Sequence, residues 1–319
     1  MSTLLTPSPA VPAPQPVTGR VEVPAAPSWR VRAGAPADTG WTIASLCWRQ
    51  PAVITADAVR GGRRPPVVLV HGFGVADGLC VPVARRLATS GTVLAPDLPG
   101  CGHSSKPDPV PGVAEVGTAL ASWLPAVVTE PVVLVGVSLG CQVVLETAAQ
   151  APDWVSAVVL ASPIVDRDRR SWLGQLWRWQ RERATQSRRL RRLQVTSYRR
   201  AGVRRVLRTF AAALVDRPED KIARVGAPVL VCRGTRDPLV SDEWVAQLRR
   251  QAPDARLVRL PGVVHAMSHD NPVEFARVIH GFLDELAAVR GGASGVRTQL
   301  PTTDLLPTEE RRRRSSSAG

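Results

Sequence analysis

Three side chains in this sequence could together run acyl chemistry: Ser138, Asp237 and His265. Ser138 lies in Gly136-Val-Ser-Leu-Gly140, between the apolar run 132–135 and the apolar run that resumes at Val143. A buried strand that turns sharply into a helix holds such a serine in a strained backbone conformation with its oxygen outward. Glycine on both sides removes the Cβ atoms that would collide there. A serine nucleophile also needs a base to take its proton and an acid to orient that base, in the order Ser, Asp or Glu, His. Both partners are present. Asp237 stands in Gly234-Thr-Arg-Asp-Pro238 after the apolar run 229–232, and His265 ends Gly262-Val-Val-His, just before a helix expected to begin near Pro272.

Acyl transfer places negative charge on the carbonyl oxygen, so preorganised N–H donors are required as well. The turn His71-Gly72-Phe73-Gly74 ends a further apolar strand, and the backbone N–H groups of Phe73 and Leu139 suit that role. Competing readings exist for each residue. Ser138 could cap the following helix; Asp237 could merely initiate its Asp-Pro bend, leaving Asp166 or Asp242 as the acid. His269 is a rival base, four residues after His265. His71, His103 and His280 read as structural hydrogen-bonding or packing residues.

Together with Asp97-Leu-Pro-Gly100-Cys-Gly102, these motifs occur in an order that resembles the α/β-hydrolase fold superfamily, in its serine-nucleophile, cap-bearing, single-domain branch, over about residues 41–288. The resemblance implies an α/β fold with a mostly parallel twisted sheet, helices on both faces and a helical cap insertion. It also implies Ser138 as nucleophile, His265 as base and then acid, Asp237 as the orienting acid, and Phe73 and Leu139 as oxyanion donors. Related branches that cleave alkyl–halogen bonds or epoxides carry aspartate where this chain has Ser138. Hydrolysis of a carboxylic ester, lactone or thioester through an acyl-enzyme is therefore expected. An acyltransferase or lyase using the same residues is the alternative, and a non-catalytic scaffold with a basic surface is a third.

The positioning elements are legible in outline. Segment 40–54 should supply early antiparallel strands, followed by helix 81–90, strand 92–95, helix 116–128 and strand 155–161. With 319 residues and 44% hydrophobic content, one core domain (41–290) is expected, with a Pro/Ala-rich, largely disordered segment 1–40 before it and a disordered basic tail 291–319 after it. The insertion 163–225 holds 18 Lys or Arg against 6 Asp or Glu, which is twelve of the chain's fourteen net positive charges. Val203, Val206, Leu207, Phe210 and Leu214, and likewise Trp172, Leu176 and Trp179, recur at helical spacing, so apolar faces should cover the site and arginines face solvent. That field suits a small acyl substrate with an anionic group, an acidic carrier or an anionic lipid; basic amphipathic helices also suit a membrane surface or nucleic acid, although no nucleic-acid motif occurs.

No cofactor is expected, since the glycines at 72, 74 and 78 miss the dinucleotide-loop spacing, and no metal, since no His or Cys pair has ligand spacing. Five cysteines without paired spacing favour a reducing, cytoplasmic setting. No apolar run reaches the roughly 18 residues needed for a transmembrane helix.

Overall fold

The computed structural model describes residues 17–22, 41–48, 64–72, 77–167 and 170–290. Their elements follow in the order β1 (Val17–Glu22), β2 (Thr42–Trp48), β3 (Val67–Val70), α1 (Val81–Leu87), β4 (Val93–Pro96), α2 (Val113–Val127), β5 (Val132–Val137), α3 (Gly140–Gln150) and β6 (Val155–Ala161). Next come α4 (Trp172–Thr185), α5 (Arg188–Ala201), α6 (Val203–Val215), α7 (Pro218–Ile222), β7 (Val229–Gly234), α8 (Asp242–Gln251), β8 (Ala255–Leu260), α9 (Met267–Asp270) and α10 (Pro272–Arg290).

The eight strands form one sheet in the order β1-β2-β4-β3-β5-β6-β7-β8. The pairings from β4 through β8 are parallel, while β1 with β2 and β2 with β4 are antiparallel. Continuous Val/Leu runs suit this position, because a strand covered on both faces gains by burying every side chain. One face receives Val68, Val70, Leu134, Val158, Leu160 and Val231, packed with Leu120, Trp123 and Leu124 of α2, Val144 of α3 and Trp244 of α8. The opposite face receives Leu69, Val133, Val135, Val159 and Leu230, packed with Val83 and Leu87 of α1 and Phe275, Ile279 and Phe282 of α10. Each such side chain, fully buried, contributes about 1.5–3 kcal/mol.

Two sequence expectations are revised. Within the segment 1–40, expected to be largely disordered, residues 17–22 form strand β1, held by backbone pairing to β2 with Val17 opposite Cys47 and Glu22 opposite Thr42. Helix α2 begins at Val113 rather than 116, because the Glu115 carboxylate accepts the Gly112 N–H at 2.7 Å and caps an earlier first turn. Among the described residues no helix is long and apolar enough to cross a membrane.

Candidate active site

The end of β5 feeds Ser138, whose N–H continues the ladder by donating to the carbonyl of Ala161 in β6 at 2.9 Å. The chain then reverses into α3. Ser138 has φ +57°, a conformation L residues rarely adopt, and it is kept there by what surrounds it. A Cβ on Gly136 would sit 2.6 Å from the Gly140 carbonyl oxygen, and one on Gly140 would sit 2.3 Å from that of Val70. Glycine at both positions is therefore what allows β3, β5 and α3 to converge on the serine.

The two partners arrive on adjacent strands. The loops after β7 and β8 are tied together: Thr235 N–H donates to Leu260 O, Arg236 N–H to Val263 O and Gly262 N–H to Thr235 Oγ1, at 2.9–3.0 Å. This tie places Asp237 Oδ2 2.8 Å from His265 Nδ1, and His265 Nε2 2.9 Å from Ser138 Oγ. Asp237 Oδ1 accepts the N–H groups of Leu239 (2.8 Å) and Val240 (3.3 Å), so the carboxylate is fixed from both sides.

Electrostatics follow from burial and pairing. Burial works to raise the Asp237 pKa, but His265, by charge and hydrogen bond, and the Leu239 N–H outweigh it, and the net shift is downward. Burial works to lower the His265 pKa, but Asp237 and, less strongly, Glu182 outweigh it, and the net shift is upward. With Asp237 ionised, Nδ1 carries the proton and donates to Oδ2. Nε2 is then left with its lone pair facing the Ser138 hydroxyl.

The other expected residues have separate partners. Asp166 accepts a hydrogen bond from Ser241 Oγ at 2.7 Å, and Asp242 pairs with Arg259 and Arg233. His269 Nδ1 pairs with Asp270 Oδ1 at 2.7 Å. His71 donates from Nδ1 to Gly72 O (2.8 Å) and accepts the Leu98 N–H on Nε2 (3.0 Å), bracing the turn after β3. His103 lies against Asp97, and His280 against Ser90 Oγ. Leu139 is the residue at the N-terminus of α3, where backbone N–H groups and the helix dipole favour negative charge. Phe73 lies outside the described residues. Among the described residues no group of three His, Cys, Asp or Glu is placed to hold a metal ion.

Ser138 and His265 open into a cavity walled by Leu239 and, from the insertion, by Ile164, Gln175, Trp179, Glu182, Tyr198 and Phe210. A second cavity shares Gly72 with the first and is lined by Leu139 and by apolar Val113, Val116, Val143 and Val206. Glu182 is a site residue that the sequence reading missed. It is buried, hydrogen-bonded by Thr185 Oγ1 (3.1 Å) and Gln186 Nε2 (3.4 Å), and its pKa is raised chiefly by burial. The available signal was its isolation: it is the single acidic residue between Asp168 and Asp216.

The insertion departs from expectation in a second way. Its apolar stripes do not all turn inward. On α4, Gln175 and Glu182 are buried while Trp172 and Leu176 are exposed, and on α6 Val203 and Leu207 are exposed beside Arg204 and Arg208. Of the expected stripes, Trp179 on α4 and Val206, Phe210 and Leu214 on α6 do turn inward, and on α4 the polar Gln175 and Glu182 share that side.

A family model described as the alpha/beta hydrolase family matches residues 67–278. Pimeloyl-[acyl-carrier protein] methyl ester esterase of Stenotrophomonas maltophilia is 28% identical over 263 residues, covering 72% of this chain and 97% of that protein. The abhydrolase domain-containing protein abhd-5.2 of Caenorhabditis elegans is 37% identical over 102 residues, 31% of this chain, and the match spans only 23% of that protein's length. The solved structure of a thermophilic esterase from Thermogutta terrifontis superposes with a TM-score of 0.67 at 18% identity, over 84% of this chain and all but 1% of that one, a likeness of fold.

Proposed function

The chain belongs to the alpha/beta hydrolase family, and on that premise we propose that it is a serine hydrolase cleaving a carboxylic ester, lactone or thioester through an acyl-enzyme on Ser138. The observation carrying this reading is the continuous hydrogen-bonded series from Asp237 through His265 to Ser138, at 2.8 and 2.9 Å.

The substrate carbonyl enters beside Ser138. As Oγ attacks the carbonyl carbon, its proton passes to His265 Nε2, and the resulting imidazolium is stabilised by Asp237 and by Glu182 across the cavity. The new oxyanion meets the Leu139 N–H at the start of α3, and by resemblance the Phe73 N–H serves as the second donor. Nε2–H then donates to the departing oxygen or sulfur, the bond to it breaks, and the acyl group remains on Ser138. A water deprotonated by His265 attacks next, releasing the acid and restoring the hydroxyl. The two cavities that share Gly72 offer room for the acyl part and the leaving group.

In this reading the insertion 163–225 is a cap on a hydrolase domain of residues 41–290, flanked by the segments 1–40 and 291–319. Its twelve net positive charges favour substrates that are anionic or presented on an acidic carrier, as the acyl-carrier-protein ester of the Stenotrophomonas relative would be. Among the described residues Cys80, Cys101, Cys141 and Cys232 form no disulfide, which fits a reducing, cytoplasmic setting.

The test is turnover of a panel of p-nitrophenyl esters, lactones and acyl thioesters, with acid-quenched mass analysis of the peptide containing Ser138. We expect hydrolysis and an acyl adduct on that peptide. Products esterified to an added alcohol instead of free acid would point to an acyltransferase, and absence of turnover across the panel in folded protein would overturn the reading.

A further inference from the structure

Helix α4 carries large apolar side chains on its outward face as well as Trp179 on its inward one. Its inward positions Gln175 and Glu182 are polar and buried, whereas its outward positions Trp172, Leu173, Leu176 and Trp177 are 48%, 81%, 51% and 59% exposed. Spacing of i, i+1, i+4 and i+5 puts these four side chains on one face of two successive turns, as a single patch rather than scattered residues. Trp172 rests edge-on against Phe210 of α6, with ring centroids 4.8 Å apart, which joins the patch to a helix whose Val203 and Leu207 are also exposed. Exposed apolar area of this kind gains free energy when something apolar covers it.

The surroundings of the patch specify what covers it. The Arg181 guanidinium stacks 4.7 Å above the Trp177 ring. The next helix, α5, packs on α4 through Tyr198 against Trp179 and turns Arg188, Arg189, Arg191, Arg192, Arg199 and Arg200 outward. Tryptophan and leucine ringed by arginine match the layered chemistry of a bilayer surface: acyl chains for the aliphatic groups, the headgroup boundary for the indoles, anionic phosphates for the guanidinium groups. A bilayer presents its apolar and anionic layers together along the whole length of such a face.

We propose that the outward face of α4, flanked by the arginines of α5, docks the protein onto anionic lipid bilayers. The opposite face of α4 walls the cavity containing Ser138 and His265, so docking leaves only the thickness of that helix between the cavity and the lipid surface. This consequence for substrate delivery rests on the ester-hydrolase reading; the docking itself does not.

The experiment is flotation of the full chain with vesicles of phosphatidylcholine alone and of phosphatidylcholine mixed with phosphatidylglycerol, for the native protein, Leu173→Ser/Trp177→Ser, Arg191→Glu/Arg192→Glu and Ser138→Ala. We expect native protein and Ser138→Ala to float with the mixed vesicles, and each surface pair to weaken that binding by about tenfold or more. Both surface pairs should keep native circular dichroism and native turnover of a dissolved short-chain ester, which separates loss of docking from loss of fold. Native protein that docks but turns over no ester would overturn the hydrolase reading alone. Failure of the native chain to bind mixed vesicles overturns the proposal. So does binding that needs the arginines but is indifferent to Leu173→Ser/Trp177→Ser, which would assign the face to an acidic protein.

Discussion

Replacing Gly140 by alanine tests whether the convergence of β3 and α3 is what aims the serine. The added Cβ would lie 2.3 Å from the Val70 carbonyl oxygen and 2.8 Å from that of His71, both backbone atoms that cannot rotate aside. Restoring an ordinary contact requires α3 and the end of β3 to separate by about 1 Å. Ser138 lies two residues before Gly140, and its Oγ sits 2.9 Å from His265 Nε2, so that displacement breaks or skews the hydrogen bond. A 1 Å misplacement of reacting groups costs on the order of 10²-fold in rate, and overpacking of this kind costs about 1–3 kcal/mol of stability. The assay is kcat for p-nitrophenyl acetate alongside a thermal melt. Gly226→Ala is the control, since a Cβ there meets nothing within 4 Å. We expect Gly140→Ala to lose about 10²-fold in kcat with a Tm lowered by several degrees, and Gly226→Ala to behave as native. Native kcat in folded Gly140→Ala would refute the reasoning.

Four further perturbations test the site and the ion pairs behind it. Asp237→Asn removes the charge that fixes the His265 tautomer and should lower kcat by about 10³–10⁴-fold at neutral pH; a loss of tenfold or less, measured on the same ester, would assign the orienting role elsewhere. Because catalysis requires neutral His265 and its pKa is raised, kcat/KM should fall with an acid limb whose midpoint lies above the unperturbed 6.5. Glu182→Gln removes a charge that favours the imidazolium, so its acid limb should move to lower pH, and a pH profile identical to native would contradict the contact. Lys221 is buried between Glu146 Oε2, at 2.6 Å, and Asp216; Lys221→Met leaves both carboxylates uncompensated and should cost about 3–5 kcal/mol in urea unfolding, whereas a cost near zero would show that they are solvated.

The positions of Ser138, Asp237 and His265 are legible in the sequence because each follows an apolar strand through a glycine-marked turn, and close backbone approach leaves that mark in residue type. The parallel sheet is legible for a related reason, since strands buried on both faces are unbroken Val/Leu runs. Periodicity reports which residues share a helix face but not which face turns inward. For that reason Trp172 and Leu176 read as a covering stripe, although the inward side of α4 carries Gln175 and Glu182. Strand β1 is illegible because its pairing to β2 is a non-local fact, absent from a short Val-Thr-Gly-Arg-Val-Glu segment in proline-rich surroundings.

The account stands or falls on whether Ser138 is an activated nucleophile. Labelling with a fluorophosphonate, read by intact mass and peptide mapping, measures this without knowledge of the substrate. The account predicts a single adduct on Ser138, absent in Ser138→Ala and abolished or strongly slowed in His265→Ala. A folded native protein that takes up no label, or one labelled equally well without His265, would contradict it.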